Sequence, residues 1–511
     1  MSYNLGLRFQ RISTQERGKV CLSYIDGTSF TFGELNERSN QYVHWLIQNG
    51  VAKGDVIGIL NNKSFNAFAL MIGCIKLGAI YTNLDPFSPF VRLSKIIDRC
   101  SPKFIFSDLS ERELEADLYQ TYQDRLRLLR SEDLNIELDL LSQQDNICVE
   151  SVCGTDPAYI MFTSGSTGFP KGAVMTHSNL ISFLEWSIGV TQPRDNEVFT
   201  NVNPIYFDNS VFDFYTSIFS GSTLAPLTTD ITKSPVKLVR AIDHLKCTIW
   251  FSVPSLLVYL LTTRVLNGAN LTCVRLFIFG GEGFPKPKLK QLYDMYGANA
   301  QLLNVYGPTE CTCICSEYFI NSSDFDDLNS LAPLGKMTKN FYYHIVDESL
   351  KPADKGELLL GGPNVGCGYY NDSERTEKAF IQNPVHDKYR DIMYRTGDLV
   401  ERDTRGLVHF RGRVDNQIKH MGYRIELEEI EAGLNTITDV KEAAVIYKRL
   451  GVGLGQIVAY IASDQSLDTR HVLTEIKKIV PDYMVPKKIE IVSSLPKNQN
   501  GKIDRNALRA L

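Results

Sequence analysis

Several classes of protein are excluded by what this sequence does not contain. Its 54 Lys and Arg against 59 Asp and Glu leave a net charge of −5 over 511 residues. That imbalance is too slight to call for nucleic acid or an anionic membrane as partner. The opening segment MSYNLGLRFQRISTQERGK has no long apolar core behind a basic tip, so no secretory signal is expected. The longest apolar stretch, FNAFALMIGCIKLGAIY, is interrupted by Lys76 and falls short of a clean membrane span; it reads as a buried helix. No repeat and no low-complexity block stands out. The eleven cysteines are odd in number, scattered and mostly set in apolar runs, which predicts reduced, buried thiols and a cytoplasmic protein. Cys311, Cys313 and Cys315 alternate in ECTCICSEYF. Without a CxxC partner or a nearby histidine they predict a strand, with all three on one sheet face, rather than a metal site.

What is present describes an ordinary globular protein, 43% hydrophobic and 22% charged, too long for a single core. Apolar strand-like runs (DVIGILNN, KFIFSD, CTIWFSV, RLFIFGGEG) alternate with helical stretches, an α/β pattern with largely parallel sheets. From about residue 356 the texture changes to short strands and turns, GELLLGG and GLVHFRGRVD. After Asp415, RIELEEIEAGLNTI and TRHVLTEIKKIV read as helices, and KEAAVIYKR, QIVAYIAS and KKIEIVSSLP as strands. Two domains follow: a large α/β unit over residues 1–414 with a small β-rich part, and an α+β unit over 415–511. The boundary is placed at Val414–Asn416.

One segment carries chemistry on its face. TSGSTGFPKG, Thr163 to Gly172, holds two Thr, two Ser, three Gly and a lysine, following the apolar AYIMF. Glycines let backbone N–H groups approach a ligand, hydroxyls add donors, and the lysine adds charge, so a phosphate-binding loop is predicted. The spacing is not the Walker pattern, and a plain polar loop is the alternative. Ser178 is expected to cap a helix whose apolar residues begin at Leu180.

TSGSTGFPKG, YFDNSVFD, NVYGPTE, YRTGDL, GRVDNQIKHMGYRIELEEIE and PKNQNGKIDR stand in this order from residue 163 to 505. Together they resemble the core motifs of adenylate-forming enzymes: acyl-CoA synthetases, luciferases and the adenylation domains of nonribosomal peptide synthetases. Within that superfamily the chain is most similar to amino-acid adenylation enzymes, including the stand-alone D-alanine ligases that load a carrier protein. The resemblance implies stacked sheets flanked by helices and a mobile C-terminal domain. It implies attack of a carboxylate on the α-phosphate of ATP, then transfer of the acyl group to a phosphopantetheine thiol.

The resemblance also implies roles. Thr163, Ser164, Gly165, Ser166, Thr167, Gly168 and Lys171 would wrap the β- and γ-phosphates. Tyr306 would offer a flat face to adenine, Thr309 would touch the α-phosphate, and Glu310 would hold Mg²⁺. Asp398, with Arg413 beside it, would accept from the ribose hydroxyls. Lys502 would reach in from the small domain to bridge the substrate carboxylate and the α-phosphate. Asp415 falls at a hinge about which the small domain rotates, presenting Lys502 in one state and the face around Gly422 and Tyr423 in the other. Taken singly, Asp398 reads as an Asx turn, Lys502 as an exposed lysine and Asp415 as a surface turn.

Asp208 sits in an apolar context where an unpaired carboxylate is costly. In amino-acid-activating relatives this position pairs with the substrate ammonium; the alternative is a helix N-cap. The remaining pocket, carried over by position, is Asn209, Phe212, Ser252, Ile278, Gly280, Val305, Cys313 and Ile314. It holds no charge to meet a charged side chain, so an uncharged, small to medium amino acid is expected. Gly280 is expected to leave room, keeping D-alanine and glycine open. An acyl-CoA synthetase acting on an amine-free acid, and a non-catalytic nucleotide-binding homologue, are the rival readings. Because the sequence stops soon after GKIDR, a carrier protein is expected to be a separate chain.

Overall fold

The predicted strands Val56–Leu60, Phe104–Ser107, Ile249–Ser252 and Leu276–Gly280 form where expected. The computed structural model describes the chain except residues 1, 110–112, 124, 146–148, 166–167, 452–453, 464–466, 499–502 and 511. A six-stranded sheet runs in the order Arg127–Arg130, Phe104–Ser107, Val56–Leu60, Ile80–Leu84, Pro157–Thr163, Lys171–Thr176. Its pairs are parallel except the last, which is an antiparallel hairpin. A nine-stranded sheet places Gln301–Tyr306, Leu276–Gly280, Ile249–Ser252, Val198–Asn201 and Thr223–Pro226 side by side and parallel, with antiparallel strands at its ends. The long buried strands carry continuous apolar runs because helices cover both faces.

A third sheet, five-stranded and antiparallel, forms the β-rich part. It begins at Tyr342–Val346, earlier than the texture of the sequence suggested. The C-terminal domain has a three-stranded sheet, Glu442–Gly451, Leu454–Ala462 and Lys488–Val492, covered by the helices Leu427–Leu434 and Thr469–Lys477. The proposed boundary at Val414–Asn416 lies between the strand Val408–Arg413 and the hairpin Gln417–His420/Tyr423–Glu426. This is the expected α/β architecture, a large N-terminal domain and a small C-terminal one. No helix among the described residues is long and apolar enough to cross a membrane.

Three local readings are corrected. FNAFALMIGCIKLGAIY is a buried helix only over Phe65–Leu77; Gly78, at φ +77°, ends it, and Ile80–Leu84 is a strand. Lys76 is tolerated inside that helix because its Nζ donates to Asn36 and Asn40, both at 2.6 Å, and lies 3.5 Å from Asp145. Between the glycine loop and the next helix the strand Lys171–Thr176 intervenes, and the N-cap is Thr176, whose side chain accepts from the Asn179 N–H; Ser178 is already helical. The three alternating cysteines do not form a strand. Residues Thr309–Cys311 make a helical turn, and Thr312 and Cys313 have φ of +57° and +73°, so the chain reverses before Ser316. All three thiols are buried, as expected, whereas Cys153, Cys273 and Cys367 are exposed.

Candidate active site

The carboxyl ends of the parallel strands converge on one cleft, the place where α/β sheets present ligands. Strand Pro157–Thr163 delivers the glycine loop, Leu276–Gly280 and Gln301–Tyr306 form a wall, and the turn after Val198–Asn201 delivers Asp208. The hairpin of the C-terminal domain closes the fourth side. The cavity between them holds about 160 Å³.

The glycine loop closes on itself: Gly168 N–H donates to the Gly165 carbonyl at 3.0 Å, and Lys95 Nζ holds the Gly168 carbonyl at 3.0 Å. Gly168 has φ +76°, and a Cβ on Gly165 would lie 2.0 Å from the Phe169 carbonyl, so both positions require glycine. Thr163 Oγ1 is buried and has no hydrogen-bond partner among the described atoms. An unsatisfied buried hydroxyl is costly and suits a ligand's oxygen. Ser166 and Thr167 lie outside the described residues, as does Lys502.

Opposite the loop, the Tyr306 hydroxyl donates to Asp398, and the Arg413 guanidinium donates to the other Asp398 oxygen at 2.5 Å. The same guanidinium grips both oxygens of Asp415 at 2.6 Å. Burial, then the Asp398 charge, pushes the Tyr306 hydroxyl well above its usual range, so it stays a donor. Lys419, from the hairpin, places its ammonium 5.2 Å from the Tyr306 ring centre.

Asp208 stands at the N-terminus of a helical segment, Asn209–Phe219, interrupted by a π turn over Phe212–Thr216. Its side chain makes no capping bond, which removes the N-cap alternative. Instead its Oδ2 accepts from Thr309 Oγ1 at 2.6 Å. Burial pushes the Asp208 carboxyl up. Asn209, Gly280, Val305, Cys313 and Ile314 line the same cavity. Phe212, Ser252 and Ile278 do not reach it. Phe212 packs edge-on against Phe251, and Ser252 accepts from Trp250 Nε1 at 2.7 Å on the far side of its strand. Ile278 lies two residues deeper than Gly280 and is fully buried. Asn203, Tyr206, Phe207 and Phe251 occupy the wall in their place.

Gly280 does not leave the room expected of it. A Cβ there would lie 2.4 Å from the Val305 carbonyl, so the missing side chain is required by the neighbouring strand. Gly280→Ala is accordingly expected to cost about 1–3 kcal/mol by overpacking, read as a lowered thermal unfolding midpoint with the cavity chemistry unchanged.

The charges that sequence reasoning missed come from the C-terminal domain. Glu310 is fully buried; one oxygen accepts from the Tyr369 hydroxyl at 2.6 Å and the other from Arg424 Nη1 at 2.6 Å, with Lys171 Nζ 3.7 Å away. Burial alone would raise its carboxyl, but Arg424 and Lys171 outweigh it and hold the group far below the carboxylate range. Ser164 Oγ donates to the Arg424 carbonyl at 2.7 Å and accepts from Glu426 N–H at 3.2 Å. The alternation in YRIE puts Arg424 and Glu426 on one face of the hairpin strand, the signal that could have found them.

A resident cation is tested by the donor set. Among the described residues no cluster of three or more acidic, His or Cys side chains could hold a metal. Glu310 is a single hard-oxygen ligand, which fits Mg²⁺ where phosphates supply the other oxygens.

The AMP-binding enzyme family matches residues 9–370, and the AMP-binding enzyme C-terminal domain matches residues 429–502. A D-alanine--D-alanyl carrier protein ligase of Listeria monocytogenes serotype 4a (strain HCC23) is 32% identical over 502 residues, 96% of this chain and 95% of that protein. Surfactin synthase subunit 3 of Bacillus subtilis (strain 168) is 30% identical over 485 residues, 94% of this chain; the match spans only 37% of that much longer protein. Among solved structures, the Vibrio cholerae adenylation domain AlmE in complex with glycyl-adenosine-5'-phosphate superposes with a TM-score of 0.83 at 22% identity, covering 100% of this chain and 98% of that one.

Proposed function

The chain belongs to the AMP-binding enzyme family, and from that premise we propose that it activates an amino acid with an uncharged, small to medium side chain. The carboxylate attacks the α-phosphate of ATP, giving an aminoacyl-adenylate and pyrophosphate. The aminoacyl group then passes to the phosphopantetheine thiol of a separate carrier protein.

The observation that carries this reading is Asp208, a carboxylate in a mostly apolar cavity whose hydrogen bond from Thr309 leaves its charge without an ion-pair partner among the described residues. A substrate ammonium would supply that partner. The apolar lining, Val305, Cys313 and Ile314, offers no charge to a substrate side chain. The relatives that load a D-alanyl carrier protein, and the solved adenylation domain holding a glycyl-adenylate, support an amino acid as substrate and a carrier as acceptor. The choice among alanine, D-alanine, glycine, valine and similar residues is left to measurement, since an apolar pocket discriminates one methylene by only about 1–3 kcal/mol.

The residues divide the work as follows. Thr163, Ser164, Gly165, Ser166, Thr167, Gly168 and Lys171 receive the β- and γ-phosphates, and the free Thr163 hydroxyl is one donor awaiting an acceptor. Asp398, positioned by Arg413, receives the ribose hydroxyls, and the Tyr306 ring carries the adenine. Thr309, whose hydroxyl donates to Asp208 at 2.6 Å, turns that donor to the α-phosphate. Lys502 bridges the two reacting anions, offsetting their repulsion and fixing the line of attack. Mg²⁺, when bound, screens the phosphates, with Glu310 as its protein ligand. Residues 415–511 rotate about Asp415, and the orientation seen here, with Gly422 and Tyr423 in the cleft, is the one for thiol transfer.

Amino-acid-dependent ATP–pyrophosphate exchange tests the reading, with a panel of L-amino acids, D-alanine, glycine, β-amino acids and amine-free acids. Exchange with one small uncharged amino acid is expected. Exchange with amine-free acids alone would move the protein to the acyl-CoA branch, and silence across the panel with ATP still bound would favour a non-catalytic homologue.

A further inference from the structure

The wall of the substrate cavity carries a polar group whose direction is fixed from behind. Asn203 follows the strand Val198–Asn201, lines the cavity and is only 6% exposed. Its Nδ2 donates to Asp213 Oδ2 at 3.0 Å and to the Phe251 carbonyl at 3.0 Å. A backbone carbonyl can only accept, so the amide nitrogen must face Phe251 and the amide oxygen must face away. Both N–H groups are used in this way. Asp213 is buried in the π turn, and Asn201 Nδ2 donates to the same carboxylate oxygen at 3.1 Å, which holds it in place. Asn203 Oδ1 accepts from no described residue, and it is not closed off inside the protein. It is therefore an acceptor, and only an acceptor, open to the cavity. Asn209 gives no such direction: it lines the same cavity half-buried, and its side-chain amide makes no hydrogen bond among the described residues, so it can turn to donate or to accept.

We propose that Asn203 determines specificity for a substrate side chain bearing a hydroxyl, so that the amino acid is serine, threonine or a similar hydroxy residue rather than alanine or valine. The proposal rests on the reading of the cavity as an amino-acid site and narrows its substrate class. With Asp208 supplying the negative charge that an ammonium needs, the neutral acceptor of Asn203 suits the neutral donor of a hydroxyl. A substrate carboxylate, which only accepts, is unsuited to it. Phe251, Val305 and Ile314, in the same lining, offer this oxygen no side-chain donor. An aliphatic side chain seated here would expel water from Oδ1 and leave it unpaired, a larger loss than that of one methylene. A hydroxyl takes the place of that water and keeps the hydrogen bond.

The test is ATP–pyrophosphate exchange by the full chain with matched pairs, serine against alanine and threonine against valine, each in the L and D series, with amine-free acids alongside. In the better-accepted pair the hydroxyl member is expected to lead in kcat/KM by roughly a hundredfold, the size of one buried acceptor left unpaired. Asn203→Leu keeps the volume and removes the acceptor, and the lead is expected to shrink to a few-fold. Asn203→Ala is expected to do the same, which keeps the test open if the leucine variant fails to fold. The ratio within a pair is the readout, because a loss of stability or of nucleotide affinity acts on both members alike. An aliphatic preference in the wild type, or a hydroxyl preference unchanged in the folded variants, overturns the assignment and leaves the amino-acid reading standing. An equal rise in KM for both members of a pair does the same, since it would place Asn203 on the shared ammonium. Exchange with amine-free acids alone, or with no acid at all, overturns the amino-acid reading itself, and the assignment with it.

Discussion

Asp208→Asn is expected to lower kcat/KM for the amino acid in ATP–pyrophosphate exchange by about two to three orders of magnitude, with nucleotide affinity unchanged. The substitution keeps the size and the acceptor for Thr309, which donates to this side chain at 2.6 Å. What it removes is the charge. Truncating one partner of a buried charge pair costs about 2–5 kcal/mol, and each 1.4 kcal/mol is about a tenfold loss. The direction of the pKa adds a second readout. Burial raises the Asp208 carboxyl, whereas pairing with an ammonium requires it ionised. The wild-type KM for the amino acid should therefore rise as pH falls through the raised pKa, and the asparagine variant should lose that dependence. Equal loss for amine-free acids in the variant would show that Asp208 only supports the wall.

Gly422→Ala is expected to separate the two half-reactions, leaving adenylation near wild type and lowering transfer to the thiol acceptor about a hundredfold. Met421 and Gly422 form the two-residue turn of the hairpin, with φ of +52° and +82°. A turn with both residues left-handed matches strand twist and favours glycine. An alanine at 422 would pay about 1–2 kcal/mol for its backbone. Its Cβ would also lie 2.5 Å from a Val253 methyl on the large domain, and overpacking of this kind costs about 1–3 kcal/mol. The backbone cost is common to both orientations, so only the overpacking acts on docking; at the upper end of its range, about 3 kcal/mol, it is about a hundredfold in the docked population. Single-turnover transfer from preformed adenylate, compared with pyrophosphate exchange, measures the split. Equal loss in both assays would mean that the hairpin serves adenylation as well.

Much of the fold was legible because its signals are local. A buried parallel strand is an apolar run, and the helix after Thr176 is announced by a capping residue a few positions before its apolar face. Local readings failed where a local signal had two outcomes. The alternation of Cys311, Cys313 and Cys315 is as compatible with a reversing turn as with a strand, and only the packing of that turn under the cavity chose the former. Ser178 and Thr176 both carry a hydroxyl suited to an N-cap, and the hairpin pairing of Pro157–Thr163 with Lys171–Thr176 decided where extended chain ended.

The site divides the same way. By its residue types alone the sequence determined the glycine loop, the hydroxyl and carboxylate of Thr309 and Glu310 and the isolated Asp208, because each is a property of a few adjacent residues. Tertiary structure decided which charges meet. Arg424 and Glu310 are 114 residues apart, and Gly165 and Glu429 are 264 apart. It also decided that Phe212, Ser252 and Ile278 lie behind the wall, and that Gly280 is small for the sake of Val305. Side-chain type is written residue by residue, but burial and the pairing of charge depend on surfaces that exist only once the two sheets and the C-terminal domain have come together.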